Sequence, residues 1–246
     1  MEELYSFTVN GRVYETAQDK PLLRFLRDDL GLRSVKDGCS EGACGTCTII
    51  VDGKATRSCI MSTKRAAGKT IITVEGLSER EKEAFVYAFG AMGSVQCGFC
   101  TPGMVMAGKA LIDRSPAPTE AEIKQAVRGN ICRCTGYKKI IEGIDLAAAI
   151  LRGDAVIEEA LEDGRSFGVG ERAFRIDVRE KVLGYGEYVD DVVMEGMVHA
   201  SAVRSRYPRA RVLDIDASEA LALPGVLAVL TAEDVPNNKV GHIQQD

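Results

Sequence analysis

The chain has 246 residues, 46% hydrophobic and 27% charged, with a formal net charge of −5 and a sequence pI of about 5.3. That balance suits a globular protein of two or more small domains and argues against a basic nucleic-acid surface; the short basic runs Lys64–Arg65 and Arg204–Arg211 read as solvated faces. The richest apolar run, Ile140–Leu151, is interrupted by Glu142 and Asp145, and Met1–Tyr5 lacks the basic and apolar regions of a signal peptide. A cytoplasmic protein with no membrane contact is therefore expected. Tyr5–Val9 alternates apolar and polar residues, Asn10-Gly11 supplies a type I′ turn, and Arg12–Glu15 returns as the second strand of a hairpin. Pro21 opens a helical pattern (Leu22, Leu23, Phe25, Leu26, Leu30) that Gly31 closes. Thr48–Val51 and Lys54–Arg57 flank Asp52-Gly53 as a second hairpin, and Ile71–Val74 reads as one more strand, giving a small α+β sheet domain.

From Ser78 the period becomes helical. Ser78–Glu81 and Thr119–Glu122 are capping boxes, Thr101-Pro102 starts a helix with proline in its first turn, and Gly129 reads as a stop. A fourth helix runs from about Tyr137 to Leu151, so four helices joined by short loops form a compact bundle, with its methionines as core filler. Residues 153–170 read as a linker, first acidic (Asp154, Glu158, Glu159, Glu162, Asp163) and then glycine-rich. Beyond it lie strand-like runs at Gly196–Val203, Ala210–Ile215 and Gly225–Leu230 and a short helix at Ser218–Leu223, a third α+β unit. His199 falls in one of these strands as a packed or surface histidine, and His242 sits in a polar tail.

Eight cysteines in a chain expected to keep its thiols reduced call for metal rather than disulfides. Cys39, Cys44, Cys47 and Cys59 have the spacing C-x4-C-x2-C-x11-C, the plant-type [2Fe-2S] pattern. Four thiolates on a binuclear core carry net negative charge, and Gly38, Gly42 and Gly45 let the loop curl its amide groups toward the sulfurs. Structural zinc is the competing reading, although zinc sites favour paired C-x2-C knuckles. Cys97, Cys100, Cys132 and Cys134 form a second set, C-x2-C-x31-C-x-C, that by spacing alone fits either zinc or a cluster. Its two pairs precede expected helix starts at Thr101-Pro102 and Thr135-Gly136, where free N–H groups and the positive dipole end favour an anionic centre.

Three segments, Asp37–Cys47, Gln96–Gly103 and Asn130–Tyr137, resemble the xanthine dehydrogenase and aldehyde oxidoreductase family of molybdenum hydroxylases, and the likeness covers residues 1 to about 152 with all eight cysteines matched. Lys181–Asp191 and Ala220–Val226 resemble the opening of that family's molybdenum part. The resemblance implies an α+β chain. A β-grasp ferredoxin-type domain (1–76) carries one [2Fe-2S] cluster and a four-helix domain (77–152) a second. After the linker (153–170) comes the start of an α/β-hammerhead domain (171–246), incomplete at Asp246. It further implies that Gln96 and Cys134 lie against the molybdopterin. A glutamine side chain, with donors and an acceptor, suits a pterin edge, while the alternative is that Gln96 caps the preceding helix.

The linker is far too short for an FAD domain, so the arrangement resembles the FAD-less, directly fused enzymes. Molybdopterin and the hydroxylation site are expected beyond residue 246, on the same polypeptide or a separate chain, and no catalytic residue is expected here. The expected role is electron transfer from molybdenum through both clusters to an external acceptor, a flavoprotein or ferredoxin, in an enzyme acting on a purine or aldehyde; homodimer formation is left open. Two other readings compete, a stand-alone ferredoxin-like carrier and a zinc-stapled structural module.

Overall fold

The computed structural model describes residues 4–157, 168, 169, 174–237, 239 and 241. Most of the expected linker, with its acidic residues Glu158, Glu159, Glu162 and Asp163, lies outside these residues, as does His242. The chain divides into two compact units, Met1–Val192 and Val193–Asp246.

The first unit begins with a hairpin of β1 (Tyr5–Val9) and β2 (Arg12–Thr16) in which Tyr5 pairs with Thr16 and Val9 with Arg12. Asn10 and Gly11 both take positive φ, as the type I′ turn requires, and Asp52 and Gly53 do the same between β3 (Thr48–Val51) and β4 (Lys54–Arg57). A short helix α1 (Leu22–Arg24) widens into a π-type stretch at Phe25–Asp29. After α2 (Thr63–Ala66), β5 (Thr70–Ile72) enters parallel to β1 and antiparallel to β3 and completes a sheet of order β2-β1-β5-β3-β4.

The two hairpins differ in burial. Alternate residues of β1 are buried, whereas all four residues of β3 are. Because side chains alternate across a strand, Ile49 and Val51 enter the sheet domain's core with Leu22, Phe25 and Ile71, and Ile50 enters the core of the helices.

The helical part has α3 (Glu79–Met92), α4 (Thr101–Arg114), α5 (Glu120–Val127) and α6 (Lys138–Arg152). The capping boxes at Ser78/Glu81 and Thr119/Glu122 are both formed. Gly93, in the left-handed conformation, returns its N–H to the carbonyls of Phe89 and Gly90 and ends α3. Phe85, Phe89, Met104, Leu111, Ile123 and Ile144 fill the core. Residues 174–192 pack back onto these helices: Val178 and Val182 of α7 (Val178–Leu183) are buried in the same core, and Arg179 pairs with Glu83 at 2.7 Å. No helix among the described residues is long and apolar enough to cross a membrane.

In the second unit the short helix α8 (Ser218–Leu221) forms where expected. The runs 196–203, 210–215 and 225–230 do not form strands among the described residues. Alternating apolar residues become a strand only where a neighbour completes the hydrogen-bond ladder and covers one face. Here Val203, Leu213 and Leu227 are exposed, and no ladder pairs these runs. His199 is exposed as well.

Candidate metal centres

Cys39, Cys44 and Cys47 lie on the loop leading into β3, and Cys59 lies in the tight turn Ser58–Ile60 that follows β4. Strand pairing draws the two ends together: Ser58 donates both its N–H and its hydroxyl to the carbonyl of Cys47, at 3.2 and 3.0 Å. The Cys44 N–H points at the Cys39 sulfur, 3.4 Å away. Backbone N–H groups, of Cys44 first and Glu41 second, pull the Cys39 thiol down to about 7. Burial, followed by the neighbouring Cys47 thiol, pushes Cys59 up to about 12. The loop therefore already directs N–H groups at sulfur, as an anionic cluster needs.

In the second set Cys97 and Cys134 are exposed, with their sulfurs 3.6 Å apart. Cys100, at the start of α4, is paired with Cys132 and held in the thiol form chiefly by burial. Burial acts in the same direction on Cys132 but is outweighed by the Thr135 hydroxyl, 3.2 Å from its sulfur, and by the N–H groups of Cys134 and Thr135. All eight cysteines are free thiols. Within each set the thiols approach in pairs, Cys39 with Cys44 and Cys47 with Cys59, Cys97 with Cys134 and Cys100 with Cys132, and pairs fit a [2Fe-2S] cluster, each of whose irons takes two protein ligands.

The helix expected at Thr135-Gly136 starts later, at Lys138. Thr135, Gly136 and Tyr137 form a turn, and Tyr137 has φ +70, a left-handed conformation unfavourable for a side chain of its size. Its hydroxyl compensates by accepting from the Cys132 N–H at 2.9 Å and donating to the Asn130 carbonyl at 3.3 Å.

The two sets are joined closely. The Ile131 N–H donates to the Cys44 carbonyl at 2.8 Å, and Asn130 Nδ2 donates to the Gly45 carbonyl at 2.8 Å and to Thr48 Oγ1 at 3.1 Å. Gly45 has φ +70, and a Cβ there would sit 2.2 Å from the Gly129 carbonyl oxygen. A Cβ on Gly103 would meet the carbonyl oxygens of Gly45 and Thr46 at 2.8 Å. Glycine at 103 lets the start of α4, and glycine at 45 lets the Gly129–Asn130 turn after α5, approach the backbone of the other domain.

Gln96 is exposed beside Cys97, and its carbonyl accepts from Arg175 Nη1 at 2.5 Å. Since Gly93 already closes α3, Gln96 is not its cap. Asn130 and Tyr137 lie inside the Asn130–Tyr137 motif, and Tyr188 inside Lys181–Asp191, yet spacing alone gives none of them a role, and no local pattern signals the burial of Lys36.

Comparison with known proteins decides between the readings of the second set. A family model described as a 2Fe-2S iron-sulfur cluster binding domain matches residues 7–73, and one described as a [2Fe-2S] binding domain matches residues 73–145. A third, the aldehyde oxidase and xanthine dehydrogenase a/b hammerhead domain, matches residues 183–246. The nicotinate dehydrogenase small FeS subunit of Eubacterium barkeri is 49% identical over 55% of this chain and 88% of its own length. This chain belongs to the xanthine dehydrogenase and aldehyde oxidoreductase family. Another member, the aldehyde oxidoreductase of Megalodesulfovibrio gigas, is 37% identical over 93% of this chain, and the chain spans about a quarter (26%) of that relative's length. The crystal structure of the aldehyde oxidoreductase from Desulfovibrio desulfuricans ATCC 27774 superposes with a TM-score of 0.82 at 36% identity, covering 97% of this chain and 28% of the other. The family's iron–sulfur portion and its hammerhead domain thus occur together in this chain.

Proposed function

We propose that this chain is the electron-relay portion of a molybdenum hydroxylase, with Cys39, Cys44, Cys47 and Cys59 holding one [2Fe-2S] cluster and Cys97, Cys100, Cys132 and Cys134 the other. When bound, the clusters supply one-electron redox chemistry between a molybdopterin site and an external acceptor such as a flavoprotein or ferredoxin. The residues of the chain hold and insulate them. The Cys39–Cys47 loop aims N–H groups at sulfur, Cys100 is half-buried at the start of α4, and the Tyr137 strap fixes Cys132. The observation that carries the proposal is the hydrogen bond from Ile131 to the Cys44 carbonyl, which leaves one residue's backbone and one hydrogen bond between a ligand of each set.

The molybdenum-binding region, on this polypeptide or a partner chain, belongs to the same proposal, as does oxidation of an aldehyde or purine-type substrate there. So do the divisions 1–76, 77–152 and 171–246. The exposed positions of Cys97, Cys134 and Gln96 support placing the second cluster against the pterin, with the Gln96 side chain on its edge. Protein assembled with iron and sulfide available should contain two [2Fe-2S] clusters by iron and acid-labile sulfide analysis, with a visible spectrum that bleaches on dithionite. Zinc without sulfide would overturn the reading. In the complete enzyme, Gln96→Ala should keep both clusters but lose cofactor or slow reduction of the second cluster; full molybdenum content with unchanged reduction would remove the pterin contact.

A further inference from the structure

Lys36 is the anomaly of the first unit. It is 1% exposed, and among the described residues its Nζ is the one buried side-chain nitrogen or oxygen without a hydrogen-bond partner. A buried ammonium without a hydrogen-bond acceptor is costly, and proteins retain one where something anionic compensates it. The neighbouring protein groups do not suffice. Burial is the largest influence against the charged form of Lys36, and Arg27, Arg33 and Lys181 add to it, while Asp191 alone among the named neighbours opposes it. Asp191 is also shared, since its carboxylate pairs with Arg27 at 3.3 Å and accepts from the Tyr188 N–H at 3.2 Å.

The position of the ammonium shows what it serves. Lys36 Nζ lies 5.1 Å from the centroid of the Tyr188 ring, and Lys181 Nζ lies 4.1 Å from the same ring. The Tyr188 hydroxyl donates to the Cys97 carbonyl at 3.0 Å, and its ring meets Phe99 edge-on at 5.2 Å. The Lys181 stem lies so close over Gly98 that a Cβ there would sit 2.7 Å from it. Two ammonium groups thus rest, through one aromatic ring, on the turn that carries Cys97 and Cys100, with Asp177 and Asp191 the carboxylates that act on the same ring. We propose that Lys36 is a positioning residue that tunes the second cluster, its buried ammonium favouring the reduced state and setting that cluster's potential above what its thiolates alone would give. The inference rests on the two-cluster reading above. Reduction adds one electron, received from the molybdenum side and later passed to the acceptor, with no bond made or broken. The added negative charge is what a fixed cation in a low-dielectric setting stabilises.

The test is an EPR-monitored redox titration of the protein carrying both clusters. Lys36→Met should lower the potential of the second cluster by about 59 mV, a tenfold fall in the reduced-to-oxidised ratio at fixed potential, and shift the first cluster less. Lys36→Arg, which keeps the charge, should stay near the parent value, and Lys36→Gln, a neutral chain with polar atoms, should fall with Lys36→Met. An unchanged second potential in Lys36→Met, or equal shifts in the Met and Arg variants, would overturn the assignment. Should Lys36→Met fail to load its clusters, Lys36→Gln decides: a lowered second potential supports the assignment and an unchanged one overturns it. Absence of both EPR signals from the parent protein would instead remove the two-cluster reading itself.

Discussion

The backbone N–H of Ile131 donates to the carbonyl oxygen of Cys44 at 2.8 Å. Cys44 belongs to one cysteine set and Ile131 adjoins Cys132 of the other, so the bond joins the two sets at the place where both present sulfur. Around it Asn130 reaches into the sheet domain, Arg57 Nη2 donates to the Gly129 carbonyl at 2.9 Å, and Gly103 lets α4 rest on the Gly45–Thr46 backbone. Electron transfer between the sets would use a path held on every side.

Replacing Cys44 by Ser should abolish one of two reduced-state EPR signals and leave the other, because the two thiol sets come from different elements and share no ligand. Simultaneous loss of both signals would show that the sets do not load independently.

Gly103→Ala should loosen the junction. The new methyl group meets two backbone oxygens at 2.8 Å, and backbone cannot rotate aside as a side chain can. A cost of about 1–3 kcal/mol is expected for such overpacking, read as a lower thermal midpoint, together with slower exchange of electrons between the clusters in rapid-mixing reduction. A variant as stable as the parent would show that α4 can shift without penalty.

Tyr137→Phe removes the hydroxyl that accepts from the Cys132 N–H and donates to the Asn130 carbonyl. Losing such a hydrogen bond costs about 0.5–1.5 kcal/mol, and here it also releases the strap on a strained backbone. The second cluster should bleach faster in denaturant while the first keeps its parent rate; equal bleaching of both would contradict the strap.

Glu81 and Lys109 carry an acid-sensitive contribution. Burial alone would raise the Glu81 carboxyl, but the Lys109 ammonium at 2.9 Å and the Ser78 hydroxyl and N–H outweigh it and hold the carboxyl below its ordinary value of 4.5. A depressed carboxyl stabilises the fold above the unfolded value and loses that contribution as pH falls through the folded one. Glu81→Gln should therefore lower the thermal midpoint near neutral pH, with the gap to the parent closing below about pH 4. A gap independent of pH would place the effect in packing rather than charge.

What the sequence made legible was local chemistry. Asn10-Gly11 and Asp52-Gly53 commit their turns through positive φ, and Ser78/Glu81 and Thr119/Glu122 complete their caps within four residues, so nothing distant overrides them. The cysteine spacings and their glycines were readable for the same reason. Less legible was whatever depends on distant partners. Lys36 meets the Tyr188 ring and the field of Asp191, both more than 150 residues away, and no local pattern announces either. Tyr137 looks like the first residue of a helix, but its hydroxyl has a better use at Cys132. The apolar alternation at Gly196–Val203 is a strand pattern awaiting a neighbour, and period alone cannot supply one.

Strand β3 has a consequence for how this architecture can be altered. With Ile49 and Val51 in one core and Ile50 in the other, a single strand is structural material for both domains at once. Cutting the chain after the sheet domain would leave Ile50 facing water, and transplanting the helical domain onto a foreign ferredoxin would leave its core with an unfilled notch. The two modules look separable in sequence, yet an exchange between relatives would succeed only if the strand travelled with the helices it serves.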